Sequence, residues 1–389
     1  MTDIRLLNPV SPVWREVLSP EEYHLIEGAP SPRAIIVRST DMHGMALPET
    51  VLAVGRAGVG VNNIPLDELA EMGVPVFNTP GANANAVKEL VIAALLLASR
   101  DIAGGIAWAK GLQENGASVE KQVEKGKKAF AGPELAGKTL GVIGLGAIGL
   151  MVANAGVALG MNVLGYDPYI SIDNAWKLSR AVAHAQTLDE ALEKSDYVTV
   201  HVPLTDETRG AIDAETLARM KPGAALINFA RGELVDTGAV LRALETGALR
   251  RYVCDFPTEA LLRAKNCVCL PHLGASTPES EDNCVRMIAR QLDAYLKTGA
   301  LTHCVNFPDA DPGRLTTARL VVLHRNVPSV VSSITALISR RGINISNMLN
   351  RSRGAYAVTF LDLDECPPAA TAAEIEALPT ICRARILTP

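Results

Sequence analysis

Short apolar runs alternate with longer helical stretches along the first hundred residues of the chain. Runs of four or five mostly apolar residues, bounded by Gly, Pro and Asn, are typical of buried strands. Strands that alternate with helices favour a parallel sheet in an α/β layer. The predicted strands of this part are Ile4–Leu7, Ala34–Arg38, Val51–Val54 and Val74–Asn78.

A second and more regular alternation begins at Lys138. Six apolar runs follow, separated by helical or turn sequence, which predicts another parallel sheet. The predicted strands are Thr139–Ile143, Asn162–Tyr166, Tyr197–Val202, Ala224–Phe229, Arg251–Asp255 and Cys267–Leu270.

Two helical segments flank this second alternation. Residues 104–128 indicate an exposed helical arm, with Trp108 and Phe130 as its apolar anchors. A long amphipathic helix is predicted over residues 277–298, where Thr277 can cap the first turn.

The pattern changes after the Pro/Gly/Asp-rich segment 309–315. The order of elements beyond it is βαββαβ, which predicts a small ferredoxin-like domain. The predicted elements are strand Arg319–His324, helix Pro328–Arg340, strands Ile343–Arg351 and Tyr356–Leu363, helix Thr371–Leu378 and strand Ile381–Leu387. The predicted fold class is therefore α/β, with two parallel-sheet domains (1–100 with 280–308, and 101–279) and a C-terminal domain (317–389).

Composition and charge exclude several functions. A net charge of −5 without a block of basic residues gives no electrostatic support to nucleic-acid binding. The most apolar segment, Glu89–Ser99, is shorter than the ~20 residues that a membrane span needs, and the first residues do not resemble a secretory signal. Seven cysteines without a C-x-x-C pair predict a reducing cytoplasm. Cys267 and Cys269 lie in an apolar run, so we expect packing rather than a metal site.

A glycine motif opens the helix after the strand at 139–143. Gly144 allows a tight turn, Gly146 lets the backbone approach a pyrophosphate, and Gly149 packs the helix on the strand. Asp167 ends the next strand, where its carboxylate can bind ribose hydroxyls and repel a 2′-phosphate. The sequence therefore predicts binding of NAD rather than NADP. The amides that would face the phosphates belong to Ala147 and Ile148.

Further chemistry follows the later strands. Pro203 is expected to wall the adenine pocket, and Thr208 is within reach of the cofactor. His201 precedes that proline inside a strand and is interpreted as structural. An arginine, carboxylates and a histidine then stand at successive strand ends, where parallel sheets build active sites. These residues are Arg231, Asp255, Glu259 and His272.

Arg231 and His272 have complementary chemistry. A guanidinium grips a carboxylate through two parallel hydrogen bonds. An imidazole that is oriented by a carboxylate exchanges a proton near neutral pH. Together they predict hydride transfer to or from a 2-hydroxy acid, with His272 as the acid/base.

Several segments resemble one known family, the D-isomer-specific 2-hydroxyacid dehydrogenases: "GRAGVGVNNI", "VKELV", "ELAGKTLGVIGLGAIG", "HVPLTDETRG", "INFARGELVD" and "PHLGASTPES". The resemblance covers nearly the whole chain and is strongest to short bacterial members that oxidise 3-phospho-D-glycerate to 3-phosphooxypyruvate, the first step of L-serine biosynthesis. It implies a flavodoxin-like substrate domain, a Rossmann domain for NAD, and a homodimer or homotetramer.

The same resemblance implies roles for individual residues. Arg231, Glu259 and His272 would be the catalytic trio, and Asp255 is an alternative to Glu259, because Ala260 stands where the family usually has proline. Asp255 would also contact the cofactor, together with Ala230 and Gly274.

The substrate would lie between the two α/β domains. Its carboxylate would meet the loop at Val59 and Gly60, and its phosphate would meet Arg56. Asn85 and Lys88 begin the neighbouring helix and would assist, although for Lys88 a solvated helix charge is an equal alternative.

The tail resembles an ACT domain, a regulatory fold that binds amino acids at paired interfaces. His324, Asn326 and Asn344 match serine-contacting positions, which implies L-serine as an effector. Ser329 stands where the family usually has glycine, so a dimerisation module without a ligand is the alternative.

Two other functions remain open from the sequence. One is the same chemistry on another substrate, such as glyoxylate, hydroxypyruvate, lactate or 2-oxoglutarate. The other is a binding protein of the same fold that senses NAD without turnover.

Overall fold

The computed structural model describes residues 1–113 and 117–389. They form two compact units, one made of Met1–Ala82 with Glu281–Pro389 and the other of Asn83–Ser280. Each unit contains a parallel sheet, and the fold class is therefore α/β.

The secondary structure follows the predicted alternation. The strands are β1 (Thr2–Leu6), β2 (Tyr23–Ile26), β3 (Ala34–Val37), β4 (Ala53–Arg56), β5 (Val76–Phe77), β6 (Thr139–Ile143), β7 (Asn162–Tyr166), β8 (Val182–His184), β9 (Tyr197–Val200), β10 (Ala224–Asn228), β11 (Leu249–Cys254), β12 (Cys267–Cys269), β13 (Ala318–Arg325), β14 (Ile345–Arg353), β15 (Tyr356–Leu363) and β16 (Ile381–Leu387). The helices are α1 (Leu66–Glu71), α2 (Ala84–Ser99), α3 (Ile102–Lys110), α4 (Val119–Gly126), α5 (Ala147–Ala158), α6 (Ile172–Lys177), α7 (Leu188–Lys194), α8 (Ala214–Arg219), α9 (Thr237–Thr246), α10 (Glu259–Arg263), α11 (Pro278–Thr298), α12 (Val330–Arg340) and α13 (Ala370–Glu376). Short 3₁₀ helices cover Pro12–Glu16, Lys127–Phe130 and Gly232–Leu234.

The first unit contains a parallel sheet in the order β2-β1-β3-β4-β5. Strand β2 was not predicted, because only Tyr23 of its four residues is fully buried and the segment carries no apolar run. Helix α11 covers this sheet closely at Gly55, where an added Cβ would lie 2.4 Å from Cγ1 of Ile288. The Tyr23 hydroxyl donates to Asp293 of α11 at 2.7 Å, which ties the helix to β2.

The second unit contains seven parallel strands in the order β12-β11-β10-β9-β6-β7-β8. Six of them were predicted; β8 was missed because it is a short edge strand with little buried surface. Helix α2 packs its apolar face on α5 in this unit, with Val87 and Val91 in the same core as Val152. The sequence pattern had grouped residues 84–99 with the first hundred.

The predicted helical arm corresponds to α3, α4 and the 3₁₀ turn that follows. The ring centroids of Trp108 and Phe130 lie 5.3 Å apart, so these two residues hold the arm together. Residues 114–116 of the predicted arm lie outside the described residues.

The last four strands form an antiparallel sheet in the order β14-β15-β13-β16, the order of a ferredoxin-like βαββαβ unit. One face packs on α12 and α13, and the other joins the core of the first sheet. Arg319 is fully buried and donates to Asp362 at 2.5 Å and to the carbonyls of Pro312 and Gly313. This buried ion pair fixes the linker to the sheet.

In the parts of the chain that the structure describes, no single helix is long and apolar enough to cross a membrane. Helices α2 and α3 reach that length only together, across a bend of 70°.

Candidate functional site

The glycine turn between β6 and α5 is shaped by close backbone contacts. Gly144 has a φ of +91°, and a Cβ there would lie 2.8 Å from the carbonyl oxygen of His201. A Cβ on Gly149 would lie 1.8 Å from the carbonyl oxygen of Gly144. A Cβ on Gly146, in contrast, would have no atom within 4 Å. The turn therefore leaves open space at Gly146, where a phosphate group fits against the start of α5.

Asp167 supports this turn from the end of β7. Its Oδ2 accepts a hydrogen bond from the amide of Leu145 at 2.8 Å, and its Oδ1 accepts one from the amide of Tyr169 at 2.8 Å. Each carboxylate oxygen can accept a second hydrogen bond. The side chain is thus fixed in position and still able to bind the hydroxyls of a ribose.

The segment after β9 forms a turn closed by Thr208. Its hydroxyl donates to the carbonyl of Pro203 at 2.6 Å and accepts from the amide of Thr205 at 2.8 Å. His201, at the end of the strand, lies behind the glycine turn with Nε2 2.9 Å from the hydroxyl of Thr199. Burial lowers the pKa of His201 to about 4, so this imidazole is neutral at neutral pH.

Arg231 lies in a turn that is held by Asn228, a residue to which the sequence assigned no role. Asn228 ends β10 fully buried; its amide donates to the carbonyl of Arg231 at 2.8 Å, and its Oδ1 accepts from the amide of Ala230 at 3.1 Å. The Arg231 side chain is exposed and donates to the carbonyl of Ala230. A polar residue that ends an otherwise apolar strand is the signal that identifies Asn228.

Asp255 follows β11 directly and is 1% exposed. Its Oδ2 accepts from the amide of Gly274 at 3.4 Å, and its buried Oδ1 has no hydrogen-bond partner among the described residues. Burial raises the pKa of Asp255, and the positive charges of His272 and Arg231 act in the opposite direction. Asp255 is therefore in the electrostatic range of both.

His272 lies three residues beyond β12, exposed at the same edge of the sheet. The side of its ring is held by Phe256, with centroids 5.0 Å apart at 64°. This contact was not foreseen, although an aromatic residue next to Asp255 is visible in the sequence.

Glu259 begins α10, is 78% exposed, and accepts a hydrogen bond from Arg263 at 2.6 Å. Within residues 1–113 and 117–389, no hydrogen bond or ion pair joins Glu259 to His272. The structure thus places Arg231, Asp255 and His272 after the adjacent strands β10, β11 and β12, and Glu259 at the start of the short helix α10.

The loop after β4 in the first unit is built around Arg56. Gly58 has a φ of +149°, and a Cβ there would lie 1.2 Å from Nη1 of Arg56, so only glycine accommodates the guanidinium. The carbonyl of Val59 accepts from Asn78 at 2.8 Å, and Gly60 continues the same loop. The loop therefore holds the guanidinium of Arg56 beside the half-buried residues Val59 and Gly60.

The two helix residues predicted to assist belong to α2 of the second unit. Asn85 donates to Glu89 at 2.8 Å, and Lys88 lies 3.6 Å from the same carboxylate. Both therefore have a local partner on their own helix.

The three predicted effector residues of the tail differ in exposure. His324 is 3% exposed and bonds Thr359 at 2.8 Å and the carbonyl of Arg325 at 2.9 Å. Asn326 donates to the carbonyl of Gly354 at 3.1 Å, and Asn344 donates to Asp364 at 2.7 Å; both are exposed.

Comparison with known proteins gives a consistent set of relatives. A family model described as "D-isomer specific 2-hydroxyacid dehydrogenase, NAD binding domain" matches residues 102–274. A D-3-phosphoglycerate dehydrogenase of Escherichia coli is 33% identical over 352 residues, which cover 87% of this chain and 82% of that protein. One from Methanocaldococcus jannaschii is 38% identical over 273 residues, which cover 69% of this chain and 50% of that protein.

The chain spans about half the length of several of these relatives. Among solved structures, the NAD⁺-bound 3-phosphoglycerate dehydrogenase of Entamoeba histolytica shares the fold with a TM-score of 0.59 at 24% identity, over 78% of this chain and 98% of that one. A glyoxylate reductase from Paecilomyes thermophila reaches 0.63 at 25% identity, also over 78% of this chain and 98% of the other.

Proposed function

Since the chain belongs to the family of D-isomer-specific 2-hydroxyacid dehydrogenases, we propose that it oxidises 3-phospho-D-glycerate to 3-phosphooxypyruvate with NAD. The observation that carries the proposal is the placement of Arg231, Asp255 and His272 after three adjacent parallel strands. These strands belong to the sheet whose carboxyl edge bears the glycine turn and Asp167.

The residues around the glycine turn fit NAD. Gly146 offers space for the pyrophosphate, and Asp167 offers carboxylate oxygens for the ribose hydroxyls, where a 2′-phosphate would be repelled. When bound, the cofactor accepts the hydride. The further contacts proposed for it are with Ala147, Ile148, Pro203, Thr208, Ala230 and Gly274.

Arg231 and His272 divide the chemistry of the substrate. The exposed guanidinium of Arg231 binds the carboxylate and the C2 oxygen, which places C2 for reaction. The imidazole of His272 takes the proton from the C2 hydroxyl during oxidation and returns it during reduction.

Asp255 is our proposed orienting carboxylate for His272. It is buried at the edge of the sheet, and the charge of His272 acts on its pKa, whereas Glu259 is exposed and paired with Arg263. A buried carboxylate near the imidazole can orient the ring and offset the charge of the imidazolium that forms during oxidation. Glu259, the position implied by the family motif, stays the alternative.

The phosphorylated substrate is supported by Arg56 in the Val59–Gly60 loop. The half-buried guanidinium of Arg56 packs against Gly58. Because a guanidinium matches the geometry and charge of a phosphate, we propose that it binds the phosphate of the substrate. The relatives named D-3-phosphoglycerate dehydrogenase support the same substrate.

Residues 317–389 complete the proposal as an ACT domain with L-serine as its effector. The ferredoxin-like strand order supports the ACT domain. Assembly as a homodimer or homotetramer in the cytoplasm belongs to the same proposal; all seven cysteines are free thiols, which suits a reducing compartment.

The test of the reaction is NADH consumption with 3-phosphooxypyruvate, hydroxypyruvate, glyoxylate and 2-oxoglutarate, each with and without L-serine. We expect a strong preference for the phosphorylated substrate, weakened in Arg56→Gln. A preference for an unphosphorylated acid would keep the dehydrogenase and remove the phosphoglycerate assignment. NADH binding without any turnover would instead favour the NAD-sensing binding protein.

Variants separate the roles within the site. His272→Ala should keep NADH binding and lose most of kcat. Arg231→Ala should lower kcat and also raise KM for the substrate.

Asp167→Ala should weaken the preference for NAD over NADP.

A matched pair distinguishes the two carboxylates. Asp255→Asn should lower kcat while NADH binding is kept, because the imidazolium loses its counter-charge and its orientation. Glu259→Gln should leave kcat unchanged. The reverse result would restore Glu259 to the orienting role.

A further inference from the structure

We propose that Cys254, Cys267 and Cys269 form a modification site, at which a peroxide converts Cys254 and Cys269 to a disulfide. The three thiols lie beneath the edge of the sheet that bears Asp255 and His272. The hydride-transfer chemistry described above does not use them.

The geometry brings the sulfur atoms together. Cys254 on β11 and Cys269 on β12 are register partners on adjacent parallel strands, and their Sγ atoms are 3.9 Å apart. The Sγ of Cys267 lies 3.6 Å from that of Cys269 on the same face. Adjacent strands are ~4.8 Å apart, which is within the Cα separation that a disulfide spans. Cys254 and Cys269 can therefore be joined with only a small movement of β12.

The surroundings favour one thiolate in the cluster. A hydrogen bond from Cys267 lowers the pKa of Cys254 to about 6, while burial raises the pKa of Cys269 to about 11. Since the thiolate is the nucleophile in thiol oxidation, Cys254 is the residue that is oxidised first, and Cys269 then attacks its sulfenic acid to form the disulfide.

A surface recess gives access to the cluster. A recess of about 430 Å³ borders the edge strand β12 and is lined by Cys267, Cys269 and the cations Arg251 and Lys265. Cys267 and Cys269 are half-buried rather than sealed in the core. Peroxides of small size can enter such a recess; Cys254 is itself fully buried, with its Sγ 3.9 Å from that of Cys269, which lines the recess.

The chemistry balances with a peroxide as the only oxidant. The Cys254 thiolate attacks one peroxide oxygen, the O–O bond breaks, and the leaving oxide takes a proton as water or an alcohol. Cys254 is then a sulfenic acid. The thiolate of Cys269, formed by loss of its proton, attacks that sulfur; the S–O bond breaks, and hydroxide leaves with the proton as water, which gives the disulfide.

A cluster of thiols can also bind a metal ion, but the arrangement of these three does not favour one. Across residues 1–113 and 117–389, no group of three or more His, Cys, Asp or Glu side chains is arranged to hold one. The cluster is therefore best understood through the redox chemistry of its thiols.

The position of the disulfide links it to activity. Cys254 is the residue before Asp255, and Cys269 lies three residues before His272. A covalent bond between them draws together the two strand ends that present these side chains. We therefore expect oxidation to lower turnover reversibly, because catalysis depends on sub-ångström placement of the reacting groups.

The test is peptide mapping of the full-length protein after titration with hydrogen peroxide, with reduced protein as reference. The expected product has lost two hydrogen atoms, about 2 Da, and contains a Cys254–Cys269 linked peptide. The link should be absent in Cys269→Ser and present in Cys366→Ser, a matched control because Cys366 is an exposed thiol outside the cluster. Dithiothreitol should restore the reduced mass.

The readout by mass is independent of the substrate assignment, so it stands even if the enzyme acts on another 2-oxo acid. A Cys267–Cys269 link, an oxidised cluster without any disulfide, or an unreacted cluster would each overturn the proposal. If Cys269→Ser folds poorly, the wild-type peptide map alone decides the question, and the time course of NADH oxidation with and without peroxide gives the effect on turnover.

Discussion

Two turns in this molecule connect a strand to a helix in the same way but obey different constraints. One joins β6 to α5 in the second unit, and the other joins β13 to α12 in the first. Each has a residue in the left-handed region, Gly144 with φ +91° and Ser329 with φ +68°. Each is also flanked by a histidine that bonds a threonine: the half-buried His201 with Thr199 and the buried His324 with Thr359.

The difference between the turns lies in what surrounds the backbone. At the first turn, a Cβ on Gly144 or Gly149 would collide with a carbonyl oxygen at 2.8 or 1.8 Å. At the second, a side chain is present at Ser329 and only the dihedral angle is unfavourable. The first turn requires glycine because its backbone, the start of α5 and the backbone at His201 lie too close for a side chain. The second turn accepts serine because a side chain has room there.

Of the substitutions that test this comparison, Gly149→Ala should have the largest effect on stability and on NADH binding. The new methyl group cannot avoid the carbonyl of Gly144, so α5 must shift, at a cost of about 3 kcal/mol in the free energy of unfolding. NADH affinity should fall about 100-fold, equivalent to about 2.7 kcal/mol. Fluorescence titration with NADH and thermal unfolding measure the two effects.

Gly137→Ala is the control for that variant. Gly137 has a φ of +74° and open space around it, so alanine meets dihedral strain alone. It should cost about 1 kcal/mol and leave NADH binding intact. Equal losses in both variants would show that backbone collision is not what makes Gly149 necessary.

The sequence was sufficient for most of this architecture but not for all of the site. The glycine turn with Gly144 and Gly149 was predicted because a tight turn admits few alternatives, and the apolar runs predicted the positions of most strands along the chain. Spacing alone leaves both Asp255 and Glu259 as candidates for the carboxylate that orients His272. The sequence does not show that Asp255 is buried or that Glu259, in the first turn of α10, pairs with Arg263.

The histidines provide the second contrast. Nδ1 of His324 has a carbonyl partner at 2.9 Å, whereas Nδ1 of His201 is buried without a hydrogen-bond partner in the described parts of the chain. The carbonyl of Arg325 partly offsets the lowering of the pKa of His324 by burial. His201 has no such compensation, and its pKa falls to about 4.

The sign of the pH effect follows from linkage. Below the unfolded pKa of about 6.5, the unfolded chain binds a proton that folded His201 does not, so stability is lost as pH falls. Between pH 7 and pH 5 the loss should be about 2 kcal/mol. Urea unfolding of the wild type and His201→Gln at both pH values measures it. In His201→Gln the free energy of unfolding should no longer fall between pH 7 and pH 5, and His324→Gln should alter this pH dependence less. An unchanged pH dependence in His201→Gln would show that the lowered pKa of His201 is not its cause.

Gly146→Ala should separate binding from stability within the first turn. Since an added Cβ at Gly146 meets no atom, the free energy of unfolding should change by less than about 1 kcal/mol. The methyl group would occupy the space proposed for the pyrophosphate, so NADH affinity should fall about tenfold, or about 1.4 kcal/mol. Unaltered NADH binding would place the phosphates away from this turn.

Ser329→Gly should have the smallest effect, with the opposite sign. Serine in the left-handed region costs about 1–2 kcal/mol, and the entropy of glycine in the unfolded chain offsets part of that gain. The Ser329 side chain makes no capping bond in the described structure, so the substitution sacrifices no hydrogen bond of that kind. We expect a net stabilisation of about 0.5–1 kcal/mol, measured as a rise in Tm.

Ser333→Gly, on the exposed first turn of α12, is the matched control. It should lower the Tm, because it puts glycine inside a helix and removes a hydroxyl that donates to the Ser329 carbonyl at 2.9 Å. A lower Tm in Ser329→Gly would show that the serine side chain contributes to the turn, and the two turns would then differ in chemistry as well as in crowding.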